Sequence, residues 1–429
     1  MIANRRPRPT SDDRELRLWK VGRALIITFA AAVLVAGGIF YGLVYLLDFQ
    51  EIDTTKKLDA KTLFDLVKLS FGVVAGAGAL VALVVAYRRQ RVDEAGAHRE
   101  ATRLHTERFS QAVDKLGSDS PAVRLGGVHA LAGLADDAPD VNLRQTCIDV
   151  LCAYLRLPHT PDPGTAELEN HHLYLALREV RHTILRLIGD HYRRPEGTHH
   201  SWQGCDLDLT GVTIDGHVSF DGATFSDDAR VSFDGATFSA GMVTFDGATF
   251  SGNARVSFTK ATFSGGYVSF RRAAFSGGTV HFYGARVLSC SVVTFCAATF
   301  SGAEVSFDHT QFSGGHMSFD HAQFSGGEVS FVMVTFRDGG ASFEHAQFSG
   351  SEVSFKDATF SGGEVPFDHA VFRGGNVFFN EARISAGVVE FRRATFSGGG
   401  VYFHDATGAV PDGLLTAPPP EGVIVSSQW

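Results

Sequence analysis

The chain has 429 residues, 44% of them hydrophobic and 20% charged, which excludes a disordered tail and leaves room for two or three domains. Thirteen Pro against 47 Gly without a Gly-X-Y period exclude collagen, and five Cys are too few for a disulfide scaffold. The net charge of -9 argues against a simple nucleic-acid or anionic-lipid binder, and the acidity sits in the second half: residues 205–408 hold 12 Lys+Arg and 21 Asp+Glu.

Residues 1–20 form a basic tail with Arg5, Arg6, Arg8, Arg14, Arg17 and Lys20. Residues 21–47 and 69–87 are apolar, the second without a charge. Each satisfies the roughly 20-residue requirement for a bilayer-crossing helix. The expectation is a two-helix transmembrane hairpin over 21–87. Cations before the first span and at Arg88, Arg89 and Arg91 after the second predict both termini on the cytoplasmic side of the cell (inner) membrane.

Residues 88–200 read as an α-helical connector. Phe109, Val113 and Leu116 mark one face, and Gly117 is a stop. Ser120-Pro121 opens a helix that buries Val128, Leu131, Leu134 and Ala135. Asp140 caps the next, with Leu143, Cys147, Leu151 and Leu155 inward. A longer helix, near 166–190, turns Leu177, Val180, Ile184, Leu187 and Ile188 inward. His171, His172, His182, His191, His199 and His200 lack metal-ligand spacing and are expected at the surface, and the cysteines are expected as reduced core residues.

From Val218 the chain repeats VSF-DG-ATF-SGG. The first Phe of each unit, from Phe220 to Phe403, is never replaced in sixteen units, at intervals of 12 with three of 13. The second, from Phe225 onward, gives way at Val287, Ile384 and Gly408. Alternate residues of each triplet face the same way, so Val/Phe and Ala/Phe point inward and the middle residue outward. The core is therefore expected to hold Phe220, Phe225, Phe307, Phe312, Phe343, Phe348 and Phe367 among others. Gly-Gly supplies the corners. Three-residue strands cannot stand alone, so coils must stack into a β-solenoid over 205–408. A coil could take 12 or 24 residues; the Phe volume and the acid-His pairs Asp320-His321, Glu344-His345 and Asp368-His369 at 24-residue steps favour 24. Residues 409–429 read as a tail or cap.

Ala223-Thr224-Phe225, Ala236-Thr237-Phe238, Ala346-Gln347-Phe348 and Ala358-Thr359-Phe360 resemble the motif of pentapeptide-repeat proteins, as do Leu207-Asp208-Leu209 and Val212-Thr213-Ile214. The resemblance implies a right-handed four-sided β-helix, here with two Gly-rich residues inserted at every second motif. The stretches 107–117, 122–135 and 143–156 look HEAT-like and resemble the segment found in bacterial membrane-anchored members with two N-terminal transmembrane helices. One activity of the family is DNA mimicry toward a type II topoisomerase. Arg271, Arg272, Arg392 and Arg393 would interrupt such a surface, so it stands as the alternative reading.

The column His321, His345, His369 is the one metal candidate. No phosphate loop, HExxH, GxSxG or Ser/His/Asp set lies off the ladder, so no catalysis and no cofactor are expected. The expectation is a non-enzymatic, membrane-anchored scaffold for an unidentified protein partner, with self-association as a further option and nucleic acid disfavoured. Tyr283, Phe378 and Tyr402 are the expected contacts.

Overall fold

A computed structural model describes residues 60–158, 162–414 and 421–429, with some helical positions between 26 and 38. The chain divides into two compact units, Met1–Ala101 and Thr102–Trp429.

The expected span 21–47 lies mostly outside the described residues. The expected span 69–87 lies within one helix, α1, Ala60–Leu116, which runs on past Arg88 to the stop expected at Gly117. From Arg88 onward α1 is a charged helix with exposed i,i+4 pairs such as Arg89–Asp93 and Arg103–Glu107. No helix among the described residues is long and apolar enough to cross a membrane. That finding overturns the placement as a multi-pass protein of the inner membrane.

Three helices follow: α2 (Pro121–Asp136), α3 (Val141–Arg156) and α4 (Leu168–Tyr192). Asp140 caps α3 by accepting from the Leu143 amide at 2.9 Å, whereas Ser120 makes no side-chain cap on α2. Their stripes meet around Val128, Leu131, Leu151, Ile184 and Ile188, all buried. Gly127 sits against α1, where an added Cβ would lie 2.6 Å from the Leu116 amide nitrogen. These helices and the solenoid share one compact unit.

The solenoid is built of parallel pairings at 24 or 25 residues, such as Phe300↔Phe324 and Phe275↔Phe300, so the coil is 24 residues and not 12. The extra residue of the 13-residue intervals is absorbed at corners where Asp227, Gly252 and Cys290 take positive φ. Four columns of inward side chains result. Column A runs from Phe220 to Phe391, B from Phe225 to Phe396, C from Leu209 through Phe233 to Phe403, and D from Ile214 through Phe238 to Gly408. Rings stack along the columns, with centroids 4.6 to 5.1 Å apart, the spacing of adjacent strands. All seven expected core Phe are buried to 1% or less.

Across the coil, A meets C edge to face, as in Phe295–Phe307 at 5.5 Å and 88°. B leans on A (Phe295–Phe300, 6.2 Å, 43°) and D on C (Phe233–Phe238, 6.2 Å, 42°). The core is thus a strip ordered B–A–C–D, in which edge-to-face contact between the inner columns uses the ring quadrupole.

Two kinds of corner alternate. In the long corner, Gly266 takes φ 77°, and a Cβ there would lie 2.5 Å from the carbonyl oxygen of Gly241 one coil back, so glycine is needed for conformation and for space. In the short corner, the second residue after the first Phe takes φ near 60° in every unit. Glycine holds that place only at 222, 235, 247 and 284; Lys260, Arg272, Ala297, His309, His321, Met333 and others hold the rest.

Both ends of the solenoid are covered. At the start, Tyr192 of α4 packs on Phe225 at 5.3 Å, and Arg193 donates to the carbonyls of Asp221 and Ser219. At the far end, Val423–Ile424 pairs in parallel with Gly400–Tyr402, Leu414 is fully buried, and Trp429 lies 5.1 Å from Phe403.

Candidate interaction surface

Where the residue after the first Phe is Asp, its carboxylate is spent on the ladder. The Asp308 carboxylate accepts from Ser330 Oγ (2.5 Å) and the Val332 amide (2.9 Å) of the next coil. Asp320 does the same for Ser342 and Glu344, and Asp234 for Ser257 and Thr259. The outward Ser of the VSF triplet is therefore a partner of the acid one coil back.

His321, His345 and His369 form one column, rings parallel at 4.9 and 4.7 Å. They stand at the positive-φ position beside Asp320, Glu344 and Asp368, of which the two Asp carboxylates bond to the next coil. Arg393 ends the column, its Nη1 3.5 Å from His369 Nε2. Among the described residues no group of three His, Cys, Asp or Glu is placed to hold a metal ion. What the column presents is a strip of stacked, flat, polar rings.

The outward residues also align. On face C, Glu304, Glu328 and Glu352 stand in register over three coils. Later on that face Phe378 and Tyr402 stack at 5.0 Å, both half-buried; Tyr283, at a corner, is exposed and lies 4.9 Å from His309. Face A carries an apolar stripe that the sequence reading missed: Met242, Tyr267 and Val292 in consecutive coils. Met242 and Val292 are exposed, and Tyr267 is half-buried. Beside the stripe run Thr244, Ser269 and Thr294, all buried. The signal was present three residues before the inward Phe, where every other unit except that of Val388 carries a polar residue or Gly. It was obscured because Met, Tyr and Val look alike with core residues when each is read in its own triplet.

Two carboxylates, one in the helices and one in the first coil, were also missed. Asp136 accepts from Trp202 Nε1 (3.0 Å) and faces His191 Nε2 (3.1 Å) and His200 Nδ1 (3.1 Å). His191 stacks on the buried Trp202 at 4.0 Å. Burial pushes the Asp136 carboxyl up, but its bonds to His191 and Trp202 outweigh this and leave it below the usual range. Asp215, in the first coil, accepts from Tyr174 (2.7 Å) and Arg178 (2.9 Å) and lies 3.4 Å from His182. Its carboxyl is held far below the usual range, first by His182 and then, against burial, by Tyr174 and Arg178. His182 therefore joins the last helix to the solenoid, and the buried His191 joins two helices and Trp202, instead of lying idle at the surface.

Cys147, Cys152 and Cys205 are buried free thiols, and burial pushes them up to about 11, 12 and 11. Cys290 is exposed, contrary to the expected core role.

A family model described as pentapeptide repeats (9 copies) matches residues 209–257. That stretch includes the lead-in where Leu209–Ile214 and Phe220–Phe225 keep the five-residue step. No curated protein matches the chain.

Proposed function

For a pentapeptide-repeat protein with this solenoid, we propose a non-enzymatic scaffold that binds a protein partner along face A. The observation that carries the reading is the in-register stripe Met242–Tyr267–Val292, flanked by hydroxyl side chains. Accessible apolar side chains aligned over consecutive coils form the kind of patch that protein interfaces use. Both ends of the solenoid are covered, which leaves its sides for contact. The test is a benzoylphenylalanine placed at 267 and, as control, at 281 on face C, irradiated in the native host and followed by mass spectrometry. A discrete adduct from 267 and none from 281 is expected. Adducts from both or from neither, or a product containing this chain alone, defeats the reading.

The alternative, mimicry of DNA toward a type II topoisomerase, draws on the Glu304–Glu328–Glu352 ladder. Three charges at strand spacing cover about 10 Å, where duplex DNA carries about six at one per ~1.7 Å. Corner carboxylates are already engaged with the next coil, and Arg271 and Arg392 interrupt the field. Absence of inhibition by micromolar full-length protein in a supercoiling assay would remove this alternative.

A further inference from the structure

A cavity of about 410 Å³ lies between α2, α3, α4 and the first coil, in the size range of small-molecule sites. Leu157, Pro163, Leu173 and Leu177 supply an apolar wall. Arg124, Arg178 and Arg181 supply three guanidinium groups, against the carboxylates of Asp215 and Glu167. Those carboxylates already have donors. Asp215 accepts from Tyr174 and Arg178, and Glu167 accepts from Asn170 at 2.7 Å.

The other two cations are held by neutral partners. Arg124 donates to the Ser118 carbonyl and to the Tyr154 hydroxyl (3.2 Å). Arg181, only 7% exposed, donates to the carbonyls of Leu155 (2.8 Å) and Thr213 (3.3 Å). Among the described residues neither forms an ion pair. Each guanidinium has five N–H donors in a fixed fork suited to carboxylate or phosphate; the Asp215 charge acts on Arg181 from beyond contact, but burial outweighs it and lowers the Arg181 pKa.

We propose that this cavity binds a small organic anion, with its charged end at Arg124 and Arg181 and its apolar body against Leu173 and Leu177. The site is separate from face A of the solenoid and does not depend on the scaffold reading. A neutral ligand would leave the cations uncompensated, and an inorganic anion would leave the leucine wall in water.

Calorimetric titration of the full chain with octanoate, octanol and inorganic phosphate tests this. One equivalent of octanoate is expected to bind at least tenfold more tightly than octanol or phosphate. Arg124→Gln should reduce octanoate to the level of octanol, and Leu177→Trp, which fills the cavity, should remove binding of both. Equal affinity for octanoate and octanol, equal affinity for octanoate and phosphate, or no heat from octanoate overturns the proposal. So does full octanoate binding in a folded Leu177→Trp variant. Should Arg124→Gln fail to fold, the three wild-type titrations still decide.

Discussion

Where an Asp follows the first Phe, it links its coil to the next. Asp320 accepts one hydrogen bond from a hydroxyl and one from an amide, Ser342 Oγ and Glu344 N. Asp320→Ala removes both, and hydrogen bonds to a charged group are worth about 1.5–3 kcal/mol each; allowing for solvent at this half-exposed corner, the cost should be about 2 kcal/mol in thermal or denaturant unfolding. Asn380 fills the equivalent place and accepts from the His404 amide at 3.3 Å, so Asp320→Asn should cost less than half as much. The neighbouring position answers to a different force. Met333 is exposed and sits at φ 57°, a conformation that costs an L residue about 1 kcal/mol. Met333→Gly should therefore raise the melting midpoint and Met333→Ala should not, a reversal of the usual ranking of Gly and Ala. A lower midpoint for the glycine variant would mean that the methionine side chain contributes packing that outweighs its backbone strain.

At the scale of the element, the strip B–A–C–D separates enclosed inner columns from outer ones. Every replacement of Phe in the sixteen units lies in an outer column, although the outer column B keeps Phe throughout. Val287, Ile384 and Gly408 all fall in D, an outer column whose rings lean on C alone. Inner rings are enclosed: Phe319 stacks on Phe295 and Phe343 and meets Phe307 and Phe331 edge to face. Phe360→Ile should cost about 1 kcal/mol, as volume-tolerant core changes do, and Phe319→Ile about 2–3 kcal/mol from lost contacts and cavity; equal losses in chemical denaturation would contradict the strip. The repeat and its buried Phe were legible because period-two alternation and ring size act locally and recur in every unit. The partnership of Ser330 with Asp308 was not, since it joins residues 22 apart through a coil length that the sequence left at 12 or 24. The stripe Met242–Tyr267–Val292 was hidden for the same reason: neighbours across coils are visible only once the 25-residue register is known. The end of helix α1 at Leu116, before Gly117, was legible, but its reading as a membrane span fails because no helix among the described residues is long and apolar enough to cross a membrane.

Across the unit from Thr102 to Trp429, the helices close one end of the solenoid and the tail closes the other. The helical closure is ionic as well as apolar. Because the Asp215 carboxyl is held low in the folded state, its stabilising contribution is complete above the unfolded carboxylate value of about 3.9 and is lost as pH falls below it. Thermal midpoints of wild type and Asp215→Asn should thus differ most near neutrality and draw steadily together as pH falls below about 4; a gap that does not narrow in acid would mean that Asp215 acts through shape alone. The tail is a different kind of closure. Val401 and Phe403 donate their amides to Gly422 and Ile424 at 3.0 and 2.8 Å, and Phe391 donates to Asp412 at 2.8 Å. Removing 409–429 would free these donors along a parallel edge and uncover Phe403 beside it. Unpaired edges next to an exposed apolar ring recruit another edge, and in this truncated chain only one such edge exists. The geometry therefore predicts paired ends and not long fibres. Size-exclusion chromatography with light scattering should show a chain ending at 408 forming dimers at tens of micromolar, while the full chain shows no such concentration dependence. A truncated chain that stays monomeric would show that the last coil protects its own edge, and would reduce the tail to a covering of Phe403.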